Sequence, residues 1–150
     1  MSDVLETDTL ARLVDGKLRV LSQLRELTVR QAPLIAADDA KMLLRVFAAK
    51  QRLLEEIQRL DLELEPFRRQ DPEDRTWRSA ERRAQCSEAA ERCRRLVEEI
   101  KTSEIRDRAE LIERRDAVGR RLEDAHAAAA AREAYRLEEN AGGLNLISES

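Results

Sequence analysis

Apolar residues recur at steps of three and four from Leu10: Leu10, Leu13, Val14, Leu18, Leu21, Leu24 and Leu27. That spacing places them on one side of an α-helix and predicts a first helix over about 8–31. Gly16 interrupts it at a cost of about 1 kcal/mol relative to alanine, which a helix of this length absorbs. Pro33 denies the backbone a donor and disfavours helix at the residue before it, so it either ends or kinks the helix. Asp38 then reads as the N-cap of a second helix, its carboxylate accepting from first-turn amides, with Asp39 adding charge at the positive end of the helix dipole.

The second helix is predicted over about 38–65. Its apolar stripe is Leu43, Phe47, Leu53, Leu54, Ile57, Leu60 and Leu64, while Lys41, Arg45, Lys50, Arg52 and Glu55 mostly face water. Pro66 marks its end. In "QDPEDRTW", Asp71 is a cap, Pro72 sits at the first helical position and two acids fill the first turn, so a third helix is expected from residue 72. Phe67 and Trp77 flank this connection and are expected to pack together, closing the end of a helical hairpin.

From Glu73 to Val118 there is neither Gly nor Pro. Cys86, Ala89, Cys93, Leu96, Ile100 and Ser103 step in threes and fours, but Ile105, Ala109, Ile112 and Leu122 read as out of phase with them. The slip falls in "IKTSEI". It is either a stutter in one long helix over 72–138 or a break, with Thr102 or Ser103 capping a fourth helix. Nothing there forces a turn, which favours continuity. The fold class is therefore all-α: an antiparallel bundle or coiled coil of three long helices, the third broken near Thr102 in the alternative. A single helical domain is expected over 1–139. Asn140, Gly142 and Gly143 are expected to end the last helix, leaving a flexible tail over 140–150.

These lengths have a consequence. The first two helices would each span roughly 40 Å and an unbroken third roughly 100 Å. The third would then carry Ile105, Ala109, Ile112, Val118, Leu122, Ala125 and Ala129 beyond the reach of the other two. An uncovered apolar stripe marks a contact site.

Composition supports the helical reading and narrows the function. Charged residues are 39% and aromatics 3%, with only 4 Gly and 3 Pro, the signature of long helices rather than a mixed α/β domain. Net charge is −3, with Arg interspersed among Glu. That is a solvated helix face and not the basic stripe of a nucleic-acid binder. The first residues lack a signal peptide's basic and apolar regions, and no apolar run reaches the ~20 residues of a membrane span. A cytoplasmic protein is expected, with no membrane insertion. Cys86 and Cys93 lie roughly 10 Å apart along one helix, too far for an intrachain disulfide, and read as small core residues. An interchain disulfide would require a dimer.

Little catalytic chemistry is present. "EDAH" pairs Glu123 with His126, but a di-iron bundle site needs two such pairs and the chain has one histidine. No phosphate loop, nucleophile elbow or CxxC occurs. The sequence predicts a binding protein with no cofactor and no metal, not an enzyme.

The stretches "LRVLSQLRELTVRQAPLIAADD" and "KMLLRVFAAKQRLLEEIQRLDLEL" resemble the N-terminal half of FlgN-type flagellar export chaperones. Those proteins pair a leucine-rich first helix with a short turn ending in Asp and a second helix carrying Lys followed by paired leucines. Asp38, Lys50, Leu53 and Leu54 stand at the matching places. "EIRDRAELIERRDAV" resembles the family's later helix, with Ser103, Arg106 and Asp107 where that segment usually carries Asn, and "AYRLEENAGGLNL" resembles its C-terminal Tyr followed by glycine. The resemblance implies a chaperone that binds the amphipathic C-terminal helices of hook–filament junction subunits, prevents premature assembly and delivers them to an export-gate component. The uncovered apolar stripe offers a docking surface for such a helix, and the partner-binding residues expected from it are Ile105, Ala109, Ile112, Val118, Leu122 and Tyr135, with Leu144 and Leu146 in the tail as weaker candidates. Such a chaperone is expected to be a monomer or a weak homodimer. The alternatives are a homo-oligomeric structural coiled coil with no client, expected to form a stable dimer, and an adaptor for another secretion component.

Overall fold

The computed structural model describes residues 4–148, with side chains through residue 141. Three long α-helices follow in order: α1 (Glu6–Ala36), α2 (Ala40–Arg68) and α3 (Ala80–Ser148), with a short 3-10 turn at Pro72–Asp74 before α3. No strand occurs among the described residues. The chain divides into two units, Met1–Arg108 and Ala109–Ser150, where the sequence predicted one domain through residue 139.

In the first unit α2 runs antiparallel to α1, with Lys17 paired to Asp61 at 2.6 Å near one end and Lys50 bonded to Gln31 at the other. The first part of α3 runs parallel to α1: Arg25 pairs with Glu99 at 2.7 Å, and Gln31 donates to Asp107 at 2.9 Å. Leu10, Leu13, Val14, Leu60, Leu64, Cys86 and Ala89 form the core, which Leu21, Leu24 and Cys93 continue. Each fully buried leucine contributes about 1.5–3 kcal/mol of hydrophobic stabilisation. Phe67 and Trp77, half-buried, both pack against this core. Cys86 and Cys93 are buried free thiols, and burial pushes both above the ordinary thiol range.

The ends of the helices depart from the predicted ones for local reasons. Pro33 lies inside α1, which continues to Ala36. A proline this close to a C-terminus removes only one hydrogen bond, and the turn beyond supplies others. Ala37 N–H donates to the Pro33 carbonyl at 3.0 Å, Asp38 N–H to Ile35 at 3.1 Å and Asp39 N–H to Leu34 at 3.0 Å. The last two are the paired bonds of a Schellman stop, whose left-handed residue is Asp38 at φ 52°. Asp38 therefore terminates α1 and does not cap α2. Asp39 is the cap, accepting from Met42 N–H at 3.2 Å. The chain turns here because one aspartate tolerates the left-handed conformation and the next satisfies the restarted helix.

Pro66 likewise lies inside α2, which reaches Arg68. Asp71 caps only the 3-10 turn, accepting from Glu73 N–H at 3.0 Å. The helix expected from residue 72 starts eight residues later, where Ser79 Oγ accepts from Arg82 N–H at 3.0 Å. The intervening segment is tied back to the start of α1. Thr7 Oγ1 donates to the Thr76 carbonyl at 2.7 Å, and Arg78 pairs with Asp8 at 2.7 Å. The Arg78 hydrogen bond, helped by the Leu5 amide, holds the Asp8 carboxyl below its usual range.

α3 passes unbroken through residues 101–104. Thr102 does not cap a new helix: its hydroxyl donates to the Glu98 carbonyl at 3.0 Å, one turn back inside the same helix. Asn140, Gly142 and Gly143 do not end α3 either, since it runs to Ser148. Glycine permits a left-handed stop without imposing one, and costs a helix interior only about 1 kcal/mol.

Candidate partner-binding site

The core ladders of the three helices can be followed without regard to side-chain type. On α2 the inward positions are Leu43, Val46, Lys50, Leu53, Ile57, Leu60 and Leu64, an unbroken alternation of threes and fours. Lys50 is on that ladder, 8% exposed, and does not face water as expected. Phe47 and Leu54, expected inside, are 39% and 40% exposed. On α1 the ladder passes from Leu24 to Thr28, Gln31 and Ile35, all buried. On α3 it passes from Ile100 to Glu104 and Asp107.

These polar residues form one layer. Lys50 donates to both Gln31 Oε1 and Glu104 Oε1. Gln31 donates to Asp107 Oδ2 at 2.9 Å, and Thr28 donates to the Leu24 carbonyl at 2.8 Å. Arg106, at the surface, stands 3.8 Å from Asp107. Gln31 is 1% exposed and Asp107 4%, whereas the Glu104 side chain is 41% exposed and meets solvent. A buried amide thus bridges a lysine and a carboxylate, each satisfied by a partner from another helix.

This layer corrects the inferred phase slip in "IKTSEI". Through residue 107 α3 keeps its phase, and what changes is the chemistry of the inward positions. Ile105, one residue past Glu104 and so about 100° round the helix, is 72% exposed, while Asp107 is buried. The signal was present in sequence as the position of Lys50 four residues after Val46. A search restricted to apolar residues passes over it.

The second unit is a stretch of α3 in which no described residue of 109–141 is buried. Leu111, Val118, Leu122, Ala125 and Ala129 share one face by their spacing of seven, four, three and four. Val118 and Leu122 are 51% and 56% exposed. Ala109 and Ile112, also exposed, fall on a different face, since Ile112 is about 100° round from Leu111. Tyr135, 67% exposed, lies about a third of a turn from Ala129. The single stripe from Ile105 to Ala129 is therefore two faces: Val118 and Leu122 stand together, and Ile105, Ala109, Ile112 and Tyr135 do not join them. Leu111, absent from the predicted set, belongs with Val118. Leu144 and Leu146 lie outside the residues whose side chains are described.

Arginines share the face: Arg114, three residues past Leu111 and four before Val118, and Arg136, seven past Ala129, fall in the same register. Arg114 donates to Glu110 at 2.8 Å and Arg136 to Glu133 at 2.6 Å, pairs that occupy neighbouring turns of the same helix. His126 and Glu123 are exposed, and among the described residues no group of His, Cys, Asp and Glu is placed to hold a metal ion. Among them, too, no helix is long and apolar enough to cross a membrane.

No family model, curated protein or solved structure matches this chain.

Proposed function

We propose that this protein is a helix-binding export chaperone of the FlgN type, acting in the cytoplasm on the amphipathic C-terminal helices of hook–filament junction subunits. The observation that carries the reading is the exposed apolar ladder of Leu111, Val118, Leu122, Ala125 and Ala129 in a stretch, 109–141, with no buried residue among those described. Such a ladder leaves apolar area in water that a second amphipathic helix covers by pairing along it. The class of client comes from the resemblance of the α1–turn–α2 segment and the later helix. The chaperone would hold the client's helix until the export gate receives it, which keeps the client from polymerising.

The test is co-purification of the full chain with junction subunits, comparing wild type with a Val118→Asp/Leu122→Asp variant. Both positions are exposed, so the variant should fold normally and lose the client by at least tenfold in affinity. Equal binding by the variant removes this face from the mechanism. Failure of the wild type to bind any junction subunit, together with a stable dimer in sedimentation, would replace the chaperone reading with a homo-oligomeric coiled coil.

A further inference from the structure

The ladder of Leu111, Val118, Leu122, Ala125 and Ala129 has a charge pattern around it. Positions on α3 advance about 100° per residue. On that count Arg114, Arg115, Arg121, Arg132 and His126 all lie within about 75° of the ladder's midline. The carboxylates of residues 111–132 are Glu113, Asp116, Glu123 and Asp124, and all lie more than about 125° from it, as does Arg120. The apolar face is therefore bordered by cations and by no carboxylate for about six turns. The first carboxylate on the ladder side is Glu133, which holds Arg136 at 2.6 Å.

Two of these cations stand apart from the others. Arg114 holds Glu110 at 2.8 Å, and Arg115 lies 3.4 Å from the adjacent Asp116. Arg121 and Arg132 are exposed and make no ion pair or hydrogen bond with a described residue. Their spacing puts them on the same edge of the ladder, within about 20° of each other around the axis.

That edge selects among occupants. A second copy laid on the same face, parallel or antiparallel, would bring arginines and no carboxylate to meet Arg121 and Arg132, and like charges across a helix pair are unfavourable. An anionic membrane surface would answer the charge, but interfacial helices insert bulky apolar side chains. Ala125 and Ala129, the last two rungs, offer little hydrocarbon and instead let another helix approach closely.

We propose that the helix held on this face is acidic: beside its apolar stripe it carries carboxylates that pair with Arg121 and Arg132. This rests on the client-face reading and specifies which amphipathic helices that face accepts.

The test uses the full chain and three labelled amphipathic helical peptides that share one leucine ladder and carry Glu, Gln or Lys beside it, with affinities read by fluorescence anisotropy. The Glu peptide should bind about tenfold tighter than the Lys peptide at about 50 mM salt, with Gln between them, and the gap should narrow at about 0.5 M salt. Arg121→Gln/Arg132→Gln should remove most of the preference, and Arg121→Glu/Arg132→Glu should reverse it; all these changes fall at exposed positions. Equal affinities for the three peptides, all lost in Val118→Asp/Leu122→Asp, would overturn the acidic client and leave the helix-binding face standing. Binding of none of the three would overturn both. Self-association of the wild type that Val118→Asp/Leu122→Asp abolishes would assign the face to a second copy. Binding to phosphatidylcholine vesicles containing phosphatidylserine, with no preference for the Glu peptide, would assign it to a membrane. Either result overturns the proposal.

Discussion

Replacing Gln31 by leucine should be among the most damaging single changes in the bundle, and removing more of the polar layer should repair it. Gln31 is 1% exposed and bridges Lys50 to Asp107. Gln31→Leu leaves the Asp107 carboxylate, 4% exposed, with only a 3.8 Å approach from Arg106, and it strips one of two acceptors from Lys50. Breaking a buried charged network in this way costs about 3–5 kcal/mol. Lys50→Met should cost less, about 2 kcal/mol, because Glu104 meets solvent and only the Gln31 carbonyl is left unpaired. The triple variant Lys50→Met/Gln31→Leu/Asp107→Leu leaves no orphaned group except Glu104, which turns to water. It should lie within about 1 kcal/mol of wild type, since apolar replacement of an entire buried ionic group is often neutral. The assay is urea unfolding followed by the fluorescence of Trp77, the chain's single tryptophan, packed on the core of the first unit. A triple variant as unstable as the sum of its parts would refute the reasoning, because it would mean the three side chains act separately. So would a Gln31→Leu cost below about 1 kcal/mol.

Three further outcomes follow from the same packing. Gly16→Ala should stabilise the protein by about 0.5–1 kcal/mol in the same unfolding assay, because a Cβ there meets Leu60 Cδ2 at 3.7 Å, an ordinary contact. Cys86 and Cys93 should react with iodoacetamide far more slowly than a free thiol at pH 8 and at the full rate in urea. Their raised folded pKa values also mean that stability falls as pH rises above the unfolded thiol range, which unfolding between pH 7 and 10 would register. Asp8 shows the opposite sign. Its folded pKa is depressed, so its contribution is present above the unfolded carboxylate value and is lost as pH falls through the folded one. Arg78→Gln should therefore make stability less steep in acid, seen as a smaller drop in melting temperature between pH 5 and 3.

Period and propensity are local properties, and they explain what could be read from the chain. Leu10, Leu21 and Leu24 on α1, and Leu60 and Leu64 on α2, fall inside where their spacing puts them. The turn falls between the two helices where Pro33, Asp38 and Asp39 suggested it. The continuity of α3 followed from the absence of Gly and Pro between residues 73 and 118. The errors at helix ends are of one kind. A proline near a helix C-terminus, or an aspartate before a helix, is compatible with several neighbouring stops, and hydrogen bonds to residues such as Leu34, Ile35 and Thr76 select among them.

The sequence by itself determined that this protein is three helices, because a helix depends on residues three and four apart. What fills their interface was decided only in three dimensions. A ladder of threes and fours names positions and is silent on the side chains that occupy them. Lysine at position 50 faces inward because Gln31 and Glu104, on two other helices, supply the acceptors that offset its desolvation. The same assembly sends Ile105 outward and Asp107 inward, an exchange that hydrophobicity alone would forbid. The cost of burying a charge is set by its neighbours, and neighbours separated by 54 residues in the chain meet only in the folded bundle.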